Sequence, residues 1–152
     1  MINHAPISNV LLESLEIAQQ ASFGALVNGT GVDMRGWDAT AALVSIPTVV
    51  ATGTWQVYLQ MADDAGFTQN LTAIVDAGTG AACSSPAAQT TTGFYWLEVY
   101  RPLRRYVRVV ANPLVANVTL SAIMLRYKHT GNLPVSARDS LGLTNRVVVR
   151  GA

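Results

Sequence analysis

Few side chains in this 152-residue chain are of the types that do chemistry. His4 and His129 sit near opposite ends of the sequence, each in a polar segment. They lack metal-ligand spacing, and the single cysteine, Cys83, completes no ligand set with them. Cys83 stands beside Ser84, Ser85 and Pro86, with no His or Lys near it in sequence to lower its pKa. It is expected to be a small inert side chain, and one cysteine allows no intrachain disulfide. Asp63 and Asp64 lie close to Gly66, but without the alternating acidic spacing and distal Glu of a Ca²⁺ loop. They are expected to form a turn. There is no nucleophile elbow and no phosphate-cradling glycine loop. The expectation is a protein without catalytic residues, metal or cofactor.

The residues that remain are arginines among aromatics. Gly93 to Asn112, GFYWLEVYRPLRRYVRVVAN, holds three of the five tyrosines, one of the three tryptophans and four of the ten Lys+Arg residues. It reads as a hairpin of two short strands, Phe94–Tyr100 and Arg104–Ala111, joined at Arg101-Pro102-Leu103. Aromatic and β-branched residues suit a pleated surface, and Pro102 has no N–H to give a ladder. The pleat puts Arg105, Val107, Val109 and Ala111 on one face of the second strand, and Arg104, Tyr106, Arg108 and Val110 on the other. Arginines interleaved with aromatics could stack bases and hold phosphates. Against that stand the nearby Glu98, a formal net charge of only +1 and the lack of an RNP-type motif. The same residue types are enriched at protein–protein interfaces, and that reading is preferred.

The elements that must position these residues are strands. Trp55–Met61 alternates cleanly, with Trp55, Val57, Leu59 and Met61 on one face. Asn117–Tyr127 is a second long strand, carrying Val118, Leu120, Ala122 and Met124 on one face. Ala41–Ile46, stopped at Pro47 but with Thr48–Ala51 as a continuation that the sequence also allows before Thr52-Gly53, and Thr68–Val75 are further strands. Thr79–Thr92 is a loop, Asn112-Pro113 ends the hairpin, and Arg146–Arg150 is a short final run of three valines. Seven or eight short strands between Gly, Asn, Asp and Pro turns indicate an all-β sandwich or barrel. Residues 1–38 are expected to be an N-terminal arm or short helix, 39–127 the β-sandwich, and 128–152 a C-terminal tail. Over Asn9–Gln20 a helix capped by Ser8 or Asn9 and an extended arm both fit.

Charged residues make up 12% of the chain, against roughly 25% in an ordinary soluble domain. Two readings follow: a neutral surface of Thr, Ser, Asn and Gln, or a surface covered by other subunits, since interface cores are depleted in charge. No apolar run reaches the length of a membrane span, and the N-terminus lacks the pattern of a signal peptide.

Three segments together resemble a known group. Thr52–Thr68, TGTWQVYLQMADDAGFT, resembles a segment of the small auxiliary head proteins of tailed bacteriophages that runs strand, LQ, Ser or Ala before Asp-Asp, then FT. Arg104–Val110, RRYVRVV, resembles their RYVRV strand, and Val32-Asp-Met-Arg-Gly36 is similar to a segment that precedes their β-domain. The order and spacing of the pieces agree, over roughly residues 28 to 127. The Phe94–Tyr100 strand and the Asn132–Arg150 tail depart from the pattern.

The resemblance implies a capsid cement, or decoration, protein with a jelly-roll-like antiparallel sandwich and extended N- and C-terminal segments. Such a protein assembles in the host cytoplasm and sits on the outside of the shell. Its partners are the major capsid protein and its own copies, often as a trimer. Alternatives are a head–tail or tail completion protein, and a carbohydrate-binding jelly-roll module using a tryptophan platform. The candidate interface residues are Leu11, Leu15, Trp37, Trp96, Arg101, Arg104, Arg105, Arg108, Leu133 and Val135.

Overall fold

A computed structural model describes residues 10–23, 25–49, 53–76, 78–85, 90–115, 118–127 and 146–150, with the first and last of these as backbone. These residues are all-β, in two sheets that form a sandwich-like arrangement. Ten strands follow in chain order: β1 (Val10–Phe23), β2 (Val27–Asn28), β3 (Val32–Asp33), β4 (Ala39–Val49), β5 (Thr54–Ala62), β6 (Thr72–Ala73), β7 (Gly93–Tyr100), β8 (Tyr106–Val115), β9 (Val118–Tyr127) and β10 (Arg146–Arg150). The first sheet has the order β1-β9-β4-β7-β10, the second β2-β8-β5-β6, with β3 also on β8. Pairing is antiparallel except for β10, which lies parallel to β7 with Arg146 opposite Trp96 and Arg150 opposite Tyr100.

Period-two alternation builds the core. From β5 come Trp55, Val57, Leu59 and Met61, and from β8 come Val107, Val109 and Ala111. Facing them are Ala42, Val44 and Ile46 of β4, Tyr95, Leu97 and Val99 of β7, and Val118, Leu120, Ala122 and Met124 of β9. The rings of Trp55 and Tyr95 meet edge to face across the two layers, 4.8 Å between centroids. That arrangement sets the positive edge of one ring against the negative face of the other. Cys83 is buried in the same core, and burial pushes its thiol up to about 12, so it is inert at neutral pH.

Several expectations change. The helix alternative for the N-terminal segment gives way to β1, whose backbone pairs with β9 along its whole length through repeated register shifts. Leu11 stands opposite Arg126 and Leu15 opposite Ile123. Residues 25–38 are not a separate arm, because β2 and β3 both pair with β8. The expected hairpin of β7 and β8 does not form, since the two strands lie in different sheets. Each has one strongly apolar face, and both faces are buried in the same core by standing opposite one another across it. Pro47 does not stop β4: the continuation that the sequence allows is the outcome, running to Val49 past a register shift between Ser45 and Thr48. Pro113 likewise lies within β8, opposite Trp55 beside another shift. Such irregularities are where a sheet tolerates a residue that cannot donate. The expected strand Thr68–Val75 shrinks to β6, with Val75 adding an isolated bridge to Ala82. Residues 128–145, including His129, Leu133 and Val135, and residues 1–9, including His4, lie outside the described residues.

Candidate protein-docking site

The connection from β7 to β8 carries three of the four clustered arginines to one end of the sandwich. Arg101 begins it with φ 51, in the left-handed region that a non-glycine residue adopts at a cost. Its N–H donates to the Asp38 carbonyl at 2.7 Å, which holds that backbone in place. The Met34 N–H donates to the Arg105 carbonyl at 2.7 Å, so the connection is laced to the segment between β3 and β4.

The two segments enclose an open cleft of about 420 Å³, lined by Met34, Arg35, Trp37, Asp38, Arg101, Pro102, Leu103, Arg104 and Arg105. That volume lies within the usual range of ligand pockets. Its apolar component is unusual for a surface, because Leu103 is 71% exposed.

Two of the arginines are neutralised within the chain. Arg105 makes a two-pronged pair with Asp33, Nε to Oδ1 at 3.0 Å and Nη2 to Oδ2 at 2.6 Å. The Arg105 hydrogen bond holds the Asp33 carboxyl at about 2, below its ordinary 3.8. Arg104 grips both oxygens of Asp63 through Nη1, at 2.9 Å each. The Asp63 carboxyl is also held below its usual range, first by the Asn70 amide and then by Arg104. Asp64 turns back on its own loop, accepting from the backbone N–H groups of Thr68 and Gln69. Asp63 and Asp64 therefore form a turn, as their spacing suggests. Among the described residues, neither Arg35 nor Arg101 forms an ion pair. Arg101 lies 5.1 Å from the centroid of the Tyr100 ring.

Trp37 is half-buried against the core, and Arg126 lies over its ring at 5.1 Å. Arg126 also donates to the Asp33 carbonyl, which ties β9 to β3 behind the cleft.

The structure thus brings Trp37, Arg101, Arg104 and Arg105 together. It sets Arg108 and Trp96 apart. Arg108 projects from the outer face of β8, where both Nε and Nη2 donate to the side-chain amide oxygen, Oε1, of Gln60 and the guanidinium lies over Phe67. Trp96 stands on the outer face of the other sheet, opposite Leu43. Its Nε1–H donates at 3.0 Å to Glu98, a carboxylate only 2% exposed that also accepts from the Tyr127 hydroxyl. Phe94 on the same face is 56% exposed. The opposite end of the sandwich from the cleft carries exposed Leu114 and Val115 at the end of β8, with Leu26 just before β2.

Arg35, Asp38 and Leu103 were not anticipated as site residues. Arg35 and Asp38 flank Trp37 in the run Met34-Arg-Gly-Trp-Asp38, a cue that an aromatic among charges could have supplied. Leu103 carries no such cue, because its exposure depends on the path of the connection. No group of residues that could hold a metal occurs among the described residues. No helix among them is long and apolar enough to cross a membrane. No family model, curated protein or solved structure matches the chain.

Proposed function

We propose that the protein is a structural virion protein, which binds the outside of a phage capsid and cements neighbouring major capsid protein subunits. One observation carries the reading. The three segments that resemble auxiliary head proteins are far apart in sequence but adjacent in the fold. Val107 of the RYVRV-like strand stands opposite both Val32 and Met61, one from each of the other two segments. The Asp33–Arg105 and Asp63–Arg104 pairs join the same three segments side chain to side chain. The three resembling segments therefore meet in a contiguous part of one sheet, which supports the reading. A jelly-roll path for the chain belongs to this reading.

The sparse charge supports it as well. A face covered by neighbours avoids charge, and exposed Phe94, Leu26, Leu114 and Val115 supply apolar contact area. A homo-oligomer is expected, with a trimer matching the local threefold positions of an icosahedral shell. A glycan platform is poorly served by the tryptophans. Trp55 is in the core, the ring of Trp37 carries Arg126, and the indole N–H of Trp96 is bound to Glu98.

The test is light scattering of the purified protein together with co-sedimentation on empty phage shells, using the major capsid protein of any phage genome in which this chain's gene is found. An oligomer that pellets saturably with shells is the expected result. A 16.1 kDa monomer that stays in the supernatant would sink the reading.

A further inference from the structure

We propose that the cleft between the Met34–Asp38 turn and the β7–β8 connection receives a short acidic peptide of a partner protein. In that peptide, carboxylate side chains stand beside an apolar one. The inference rests on the docking reading above and names the chemistry of the contact.

The argument starts from charge. Four guanidinium groups line the cleft, and the Asp33 and Asp63 carboxylates satisfy those of Arg105 and Arg104. The positive charge left without an ion pair belongs to Arg35 and Arg101, both exposed. Asp38 also lines the cleft, and its carboxylate offsets part of that charge, so the cleft keeps a net positive charge and not a strong one. Planar guanidinium forks match carboxylates in two-pronged fashion, as Arg105 already does with Asp33.

Backbone geometry points the same way. Among the described residues, Arg101 is one of three non-glycine residues with positive φ, and it is the one that lines the cleft. Strain of this kind persists where the surroundings hold it, and it gathers at binding sites. Here it sets an arginine at the mouth of a cleft whose other members include Leu103, Pro102, Met34 and Trp37. A ligand that is only anionic would leave Leu103 in water. A peptide carrying both an acid and an apolar side chain uses both kinds of surface.

A nucleic acid fits less well. The ring of Trp37 is occupied by Arg126, so it offers no open stacking platform, and Arg108 is committed to Gln60 and Phe67. The two cleft guanidiniums without ion pairs, on a chain of net charge +1, make no track along a phosphate backbone.

The experiment probes the full-length protein with an immobilised array of random tetrapeptides, in competition with a thymidine oligonucleotide. Wild type is compared with Arg35→Ala and Arg101→Gly. The glycine variant removes the side chain while easing the positive φ, so folding is preserved. The expected result is selection of peptides combining Asp or Glu with Leu, Phe or Met, weakened about tenfold by either variant and by added salt. Three outcomes overturn the inference: no enrichment of acidic residues, the same enrichment in both variants, or displacement of bound peptide by the oligonucleotide at lower concentration. Shell co-sedimentation of the same variants separates this inference from the broader one. Shell binding without acidic-peptide selection refutes the cleft alone. Acidic-peptide selection without shell binding refutes the capsid partner and leaves the cleft standing.

Discussion

Replacing Leu59 by Ala tests the architecture where it is best determined. Leu59 is fully buried in the middle of β5, opposite Val109. Its N–H donates to the Cys83 carbonyl and its carbonyl accepts from the Ile74 N–H, both at 3.0 Å. The main chain is therefore tied on one side to β8 and on the other to the 74–83 segment. Truncation removes roughly three methylene-sized groups, a transfer loss of about 2.4 kcal/mol at ~0.8 kcal/mol each. A backbone tethered on both sides cannot collapse into the space, so a cavity term adds to this. The total expected is about 3–5 kcal/mol, the upper part of the range for large-to-small core changes. Urea unfolding followed by tryptophan fluorescence reads it as a lower midpoint at unchanged m-value. Gln56→Ala, half-exposed on the opposite face of the same strand, serves as the control and should stay within about 0.5 kcal/mol. A Leu59→Ala loss below about 1 kcal/mol, or equal losses from the two variants, would refute the assignment of the inner face of β5.

Other outcomes follow from individual contacts. The Asp33 carboxyl is depressed from 3.8 to about 2, so its pair with Arg105 adds stability that is present above pH 3.8. That contribution is lost as pH falls through about 2, and Asp33→Asn should flatten the acid limb of the melting curve in this window. With its thiol near 12, Cys83 should resist a thiol reagent at pH 8 in the folded protein and react at once in urea; rapid native labelling would contradict its burial. Gly31 has φ +89, and a Cβ there would stand 2.4 Å from the Phe67 ring. Gly31→Ala should therefore destabilise by about 1–3 kcal/mol, measured by the same urea unfolding, with an unchanged midpoint counting against the close approach of the Gly31 backbone to that ring.

The alternation of apolar residues is a local property with a period of two, and the chain states it openly. The inner faces of β5 and β9 could be read residue by residue from Trp55–Met61 and Val118–Met124, because each strand has one buried face and one wet one. The turn at Asp63-Asp64 was legible for the same reason, since it depends on near neighbours, whereas Cys83 is inert because the tertiary structure buries it in the core. Pairing partners are a different matter. Whether two successive strands form a hairpin or cross to opposite sheets depends on which faces meet across the core, and β7 and β8 show equal apolar faces to either solution. Only the tertiary structure sent Arg101–Arg105 across the end of the sandwich. Only it made β1 an edge strand on β9, where an apolar segment of mixed period could equally have been a helix. The arginine cluster shows the same division. Its residues were visible in sequence, but their partners lie 41 and 72 positions away, at Asp63 and Asp33. Long-range pairing therefore decided that Arg104 and Arg105 hold the fold together while Arg101, joined by Arg35, is left to face the cleft.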